Sequence, residues 1–564
     1  MSNTTIIKGV TIAGWLVLER YITPYLFALT TCDITGNFHS YPNQITTPKT
    51  KYHTFPSSFQ YDPVKNNTIW DTMECKPIPY PTNEISLISK FENKNIAREY
   101  IRRHWISFVR KEDILDLKDS GISHVRVPLG HWILNGILQE ERDMYIDGEW
   151  QYFLEFCRWC REIGMKVWPF IGTIPGSVDD SIEGWYRDEK NIGRSIHAVR
   201  RLVDAIKRDG LEDVITAIGP LIVKKNAVGD HDNHIIIRKF YNDALEIIRR
   251  AFPKDSMGIF IDDLNNVGLF DGYWMEEKYS NTYLESHYSH VGRFDLRSLS
   301  PRQHIAYVCR NTTRDLSCCN QGSSGIQRIV GDWSVAFDIL PSKKIDKVME
   351  YIAIHGAAPD FDRAIPQERE RFLQKYAQAQ ILTFENNTKG WFYSNFKMEG
   401  GVFAEMDYLR GVREGWLSDA DEKTCSDIIF ETKDDMSIVH PFPPVEDDEL
   451  NIDLDDDVVV SHGKSLISND DKEEMGRVTS SPTIKSILKV EPKESIQENN
   501  PSTEAPSESP KEEKKEDHKS YMGNHSTFKM FIGIIVIGLA WVRLKRFVGF
   551  SSNYENIPAM ELHV

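Results

Sequence analysis

Short, strongly apolar runs alternate with long amphipathic ones from the start of the chain to about residue 440, and this pattern limits the folds open to it. The runs "HVRVPLG" (124–130), "KVWPFIG" (166–172), "GIFIDD" (258–263), "RIVGDWS" (328–334) and "GWFYSNF" (390–396) read as buried strands. Between them, "VRKEDILDLKDSG" (109–121) and "IIIRKFYNDALEIIRRAF" (235–252) repeat apolar residues at helical spacing. Strands that are apolar on both faces need helices to cover them. Sustained strand–helix alternation over residues 1–440 therefore predicts one α/β barrel rather than two small domains. Residues 35–95 are rich in Pro, Thr, Asn and Tyr and read as an insertion.

Charge separates the rest of the chain from this region. Residues 441–527 hold 21 Asp and Glu against 10 Lys and Arg, which is −11 of the whole chain's −17. Stretches such as "NNPSTEAPSESPKEEKKED" are acidic and short of aromatics, so they read as a disordered linker. An acidic chain is a poor partner for nucleic acid.

Beyond the linker, "MFIGIIVIGLAWV" (530–542) is uncharged and followed by Arg543, Lys545 and Arg546. A spanning helix needs about 20 residues. Counting residues 528–550 gives that length if the basic side chains snorkel to the interface, leaving 551–564 as a short polar tail. The basic flank favours a cytosolic C-terminus and a barrel on the extracellular or lumenal side. "MSNTTIIKGVTIAGWLV" carries no visible signal peptide, which points the other way. The triplets at Asn66, Asn311 and Asn386 permit glycosylation on the outside.

Eight cysteines in 564 residues are too few for a disulfide scaffold. "CRWC" (Cys157, Cys160) lies in a helical stretch with no second pair to complete a zinc site, so it reads as packed thiols. No metal site is predicted.

Several long blocks are similar to one family. "KGVTIAGWLVLERYITPYLF" (8–27) resembles the opening of the fungal exo-β-1,3-glucanases (glucan 1,3-β-glucosidases) of glycoside hydrolase family 5. Residues 104–133, "GMKVWPFIGTIPGS" (164–177), "SLSPRQHIAYVC" (298–309) and residues 390–416 resemble later blocks in the same order. The resemblance implies a (β/α)8 TIM barrel with its sugar site at the C-terminal ends of the strands. It implies retaining hydrolysis of β-1,3-glucan from the non-reducing end, by two carboxyl groups about 5–5.5 Å apart and without a cofactor. It also implies that Glu19, Arg126, His287 and Tyr288 contact sugar, and that Cys309 and Cys425 form a disulfide. A buried Arg126–Glu19 ion pair is the structural alternative for those two residues. Lys397 and Glu399 match the family as well.

The catalytic positions depart from the family. Asp332 in "VGDWS" stands at the nucleophile position, where the family has glutamate. The lost methylene retracts the carboxylate by about 1.5 Å, and a displacement of about 1 Å can cost 100-fold. The family's Asn-Glu-Pro, which carries the general acid, aligns with Leu221, Ile222 and Val223. No carboxylate occurs between Asp213 and Asp230, so Ile222 has no neighbour to take its place. An aliphatic side chain cannot transfer a proton, and general acid catalysis is worth about 100- to 10,000-fold. Gly172 replaces a family histidine, and Ser394 and Phe396 replace two tryptophans.

These substitutions predict a membrane-anchored glucanase-like barrel with lost or crippled catalysis and a glucan-binding or tethering role. The alternative is an active retaining glycosidase with Asp332 as nucleophile and an acid relocated to Asp262 or Asp263. A pure binding module stacking sugar on Trp15, Trp132, Trp185 or Trp333 is the third reading, although core packing is the default for each indole.

Overall fold

A computed structural model describes residues 6–36, 76–177, 183–222, 231–264, 280–291, 293–296, 298–317, 326–338, 341–355, 365–417, 423–436 and 438. Its strands are β1 (Ile7–Thr11), β2 (His124–Leu129), β3 (Lys166–Ile171), β4 (Ala217–Ile218), β5 (Gly258–Asp262), β6 (Thr282–His287), β7 (Ile326–Trp333) and β8 (Gly390–Tyr393). They form one parallel sheet in the order β3-β2-β1-β8-β7-β6-β5-β4. Parallel bridges Val167–Ile215 and Phe170–Gly219 join the two ends of that order. The sheet thus closes on itself as the expected (β/α)8 TIM barrel, and all five strand-like runs lie in it.

The principal helices are α1 (Lys94–Ser107), α2 (Lys111–Asp119), α3 (Trp150–Ile163), α4 (Glu189–Arg208), α5 (His231–Ala251), α6 (Pro301–Tyr307), α7 (Pro341–His355), α8 (Gln367–Asn387) and α9 (Cys425–Glu431). Their ends follow from local chemistry. Asn93 accepts hydrogen bonds from the Asn95 and Ile96 amides to start α1, and Asp188 does the same for α4 through Lys190. The left-handed Gly164, at φ 77°, stops α3.

Period-two alternation divides the core. Val167 and Ile171 of β3 face the helices, whereas Trp168 and Phe170 pack inside the barrel with Ala217, Ile222, Phe260, Ile329 and Phe392. Gly9 admits the Phe392 ring, because an added Cβ would overlap it. Trp15, Trp132, Trp185 and Trp333 are each no more than 3% exposed, so all four are core residues rather than sugar platforms. Cys157 and Cys160 are free, buried thiols on α3.

Cys309 and Cys425 form a disulfide that ties the helical run after α6 to the first turn of α9. Of the segment 35–95, residues 76–95 lie back on the barrel: Pro77 bridges Thr30, and Leu87 and Ile88 enter the core. Among the described residues no helix is long and apolar enough to cross a membrane. The expected span 528–550 and linker 441–527 lie outside the described residues.

Candidate active site

Residues with inward-facing side chains on β2, β5, β6 and β7 meet at the C-terminal end of the barrel. Glu285 is central. Its side chain is 1% exposed, it accepts a hydrogen bond from the Arg126 guanidinium, and it is 2.9 Å from His287 Nε2. Arg126 also donates from Nε to Thr11 at 2.8 Å and lies 5.2 Å from the centre of the Phe170 ring. Glu285 can lie across β7 because residue 331 is glycine; an added Cβ there would overlap its carboxyl group.

His287 faces three carboxylates. Burial alone would lower its basicity, but Asp262, the bond to Glu285, and the charges of Glu285 and Asp332 raise its pKa to about 10. It is therefore a cation at neutral pH. Burial would raise Glu285, yet Arg126 and His287 together hold it below the usual carboxylate range. Asp262 is pushed up to about 6, chiefly by burial and against the pull of His287, and it accepts a 2.7 Å bond from the Leu264 amide.

Asp332 is half-buried at the end of β7, where its backbone carbonyl accepts from the Tyr288 amide at 2.9 Å. The register shifts on both sides of this strand end. Such irregularities re-aim side chains at barrel rims.

The other expected site residues lie elsewhere. Tyr288 packs against α8, 6.1 Å from Phe384, with its hydroxyl 3.5 Å from Arg328. Asp263 follows Asp262 on an alternating strand, so it faces the helices and lies 3.7 Å from Arg328. Glu19 is half-buried after β1 and accepts from the Tyr21 hydroxyl at 2.9 Å. Arg126 does not pair with Glu19, the structural alternative raised for the two; it extends across the barrel interior to Glu285 on β6.

Four residues beyond β4, Ile222 is 2% exposed within the apolar interior, and its amide donates to the Ile171 carbonyl at 3.1 Å. Val223 lies outside the described residues. Gly172 sits where a Cβ would be 2.9 Å from that of Pro128. Its neighbour Thr173 holds His131 through Oγ1, 2.9 Å from Nδ1, while Arg194 reaches Nε2 at 3.1 Å. An arginine can only donate, so His131 carries its proton on Nδ1. Burial, then Arg194 and Arg201, lower this imidazole to about 3.

On the far side of the mouth, Phe396 is fully buried edge-on to Phe108 at 5.6 Å. Lys397 is 2.7 Å from Asp113 of α2. Glu399 accepts from the Tyr25 amide at 2.9 Å, and its withdrawal from water raises it to about 7. Ser394 is half-buried beside Trp333, to whose carbonyl its amide donates at 2.9 Å.

Arg126, His287, Asp332 and Asp262 thus come together around Glu285, a residue the sequence reading passed over. Its signal was the spacing in "LESHY", which puts Glu285 and His287 on the same strand face.

Comparison with known proteins agrees with the barrel. A glucan 1,3-beta-glucosidase of Kluyveromyces lactis is 22% identical over 433 residues, covering 72% of this chain and 87% of the relative. The sporulation-specific glucan 1,3-beta-glucosidase of Saccharomyces cerevisiae is 23% identical over 432 residues, covering 72% and 84%. The crystal structure of rutinosidase from Aspergillus niger superposes with a TM-score of 0.50 at 12% identity, covering 73% of this chain and 98% of that one; it speaks for the fold alone. No family model matches the chain. The resemblance first seen in the sequence blocks is borne out: over its barrel, this chain is similar, at 22–23% identity, to proteins named glucan 1,3-beta-glucosidase.

Proposed function

We propose that this is a glucan 1,3-β-glucosidase-like barrel that binds β-1,3-glucan or a related oligosaccharide and has lost, or nearly lost, its hydrolysis. The observation that supports the reading is the burial of Ile222, the residue we align with the family's proton donor, among Trp168, Phe170, Phe260 and Phe392. A retaining glycosidase needs that donor both to expel the leaving group and to activate water.

The remaining inward carboxylates support the same reading. Glu285 is committed to Arg126 and His287, and Asp262 is 1% exposed and held by the Leu264 amide. The residues 441–527 act as a tether and 528–550 as a membrane anchor, with the barrel on the extracellular or lumenal side. No cofactor is needed, since the family chemistry runs on side chains alone.

The deciding experiment is reducing-sugar release from soluble β-1,3-glucan by the purified full-length chain, beside Asp332→Asn. No release, or equal release from both, supports a barrel that binds without hydrolysis. Release abolished by Asp332→Asn overturns it.

One observation favours an active alternative with Asp332 as nucleophile. Asp262, raised to about 6 by burial against the pull of His287, can hold a proton closer to neutrality than Glu285. Loss of release in Asp262→Asn would select that reading.

A further inference from the structure

The chain carries five N-x-S/T triplets, at Asn3, Asn66, Asn311, Asn386 and Asn524. Asn3, Asn66 and Asn524 lie outside the described residues. Asn311 is half-buried within the helical run Val308–Thr312. Asn386 is exposed in the last turn of α8. The helix ends there through its own polar groups: Asn387 Nδ2 donates to the Thr383 carbonyl at 2.7 Å, and the Thr388 hydroxyl donates to the Phe384 carbonyl at 2.8 Å. Thr388 itself is extended, at φ −136° and ψ −179°. The triplet therefore presents its asparagine to solvent as the chain leaves the helix. β8 begins at Gly390, so Asn386 stands at the N-terminal end of the barrel, opposite Asp332.

A second, independent observation concerns the cysteines. Cys309 and Cys425 are bridged, and Cys32 is also disulfide-bonded. The free thiols among the described residues, Cys157 and Cys160, are sealed in the core. Disulfides form and persist in oxidising compartments, and N-x-S/T acceptors are used in secreted proteins.

We propose that Asn386 is an N-glycosylation site and that the barrel matures in the oxidising lumen of the secretory route. The co-substrate is an oligosaccharide joined through a diphosphate to a lipid. Asn386 Nδ2 attacks its anomeric carbon, forming the C–N bond as the C–O bond to the diphosphate breaks. The lipid diphosphate leaves with the bonding electrons, and the displaced amide proton passes to a base of the transferase. A glycan at this position leaves the mouth around Asp332 open. The assignment rests on the lumenal reading above and is independent of whether glucan is cleaved.

The test uses full-length protein recovered from the cells that make it, treated with an amidase that removes N-linked glycans in heavy-oxygen water. The expected result is conversion of Asn386 to a heavy-oxygen aspartate. Asn386→Gln should lower the mass by one glycan, and Asn311→Gln should leave it unchanged. Unmodified Asn386 with Cys309 and Cys425 resistant to alkylation overturns the site but keeps the compartment. Alkylation of both cysteines without a reductant overturns the compartment as well, and with it the lumenal reading, whatever the glucan assay gives.

Discussion

Glu285 reaches Arg126 by crossing the backbone of β7 at Gly331, the residue directly before Asp332. The proposed nucleophile position is therefore attached to a buried ion pair at the barrel mouth. Gly331→Ala should force Glu285 off Arg126 and destabilise the barrel by about 1–3 kcal/mol. Denaturant unfolding of the variant checks this, and an unchanged midpoint would show that Glu285 has another route.

The pair itself should behave asymmetrically. Glu285→Leu leaves a buried guanidinium without its carboxylate and should cost about 3–5 kcal/mol. Replacing Arg126 by Met in the same chain should recover much of that loss, because two apolar side chains then fill the space. A double-mutant cycle reads the coupling directly. Additive losses would mean that the two residues act separately.

His131 supplies a pH-dependent readout. Its folded pKa, about 3, lies below the ordinary 6.5, so the unfolded chain takes up the proton first as pH falls. Its contribution is complete above 6.5 and is lost as pH drops toward 3. The stability advantage of the wild type over His131→Gln should shrink by about 1.4 kcal/mol per pH unit across that window. A constant difference would place a charged imidazole in the folded barrel.

The proposed acid position, Ile222, can be rebuilt. A glutamate there would sit among Trp168, Phe170 and Phe260, where burial keeps a carboxyl protonated, the state a general acid requires. Ile222→Glu alone should destabilise the fold, increasingly as pH rises through its elevated pKa. Combined with Asp332→Glu, it should raise glucan hydrolysis at least 100-fold above the parent chain. A folded double variant with no gain would move the defect to Gly172, Ser394 and Phe396.

Much of the barrel was legible because β2, β3, β5, β7 and β8 are apolar runs bounded by turn residues. β6, "TYLESH", was not, because its inward residues Glu285 and His287 are polar and break the apolar pattern. β4 is only two residues long and gives almost no periodic signal. Arg126 was visible as a strand arginine, but its partner lies 159 residues away and becomes adjacent only when the barrel closes. Likewise, Asp262 and Asp263 look equivalent as a dipeptide. Strand alternation sends one into the barrel and the other toward Arg328.

The disulfide at Cys309 gives the barrel a mechanical property. Chain pulled from beyond residue 438 can unravel α9 only as far as Cys425, where the load passes through sulfur to Cys309, 116 residues earlier in the chain. Between those two cysteines lies β8, the strand that closes the sheet between β7 and β1. Traction on the tail bypasses that strand, so the last stave of the barrel is shielded from any force the tail transmits.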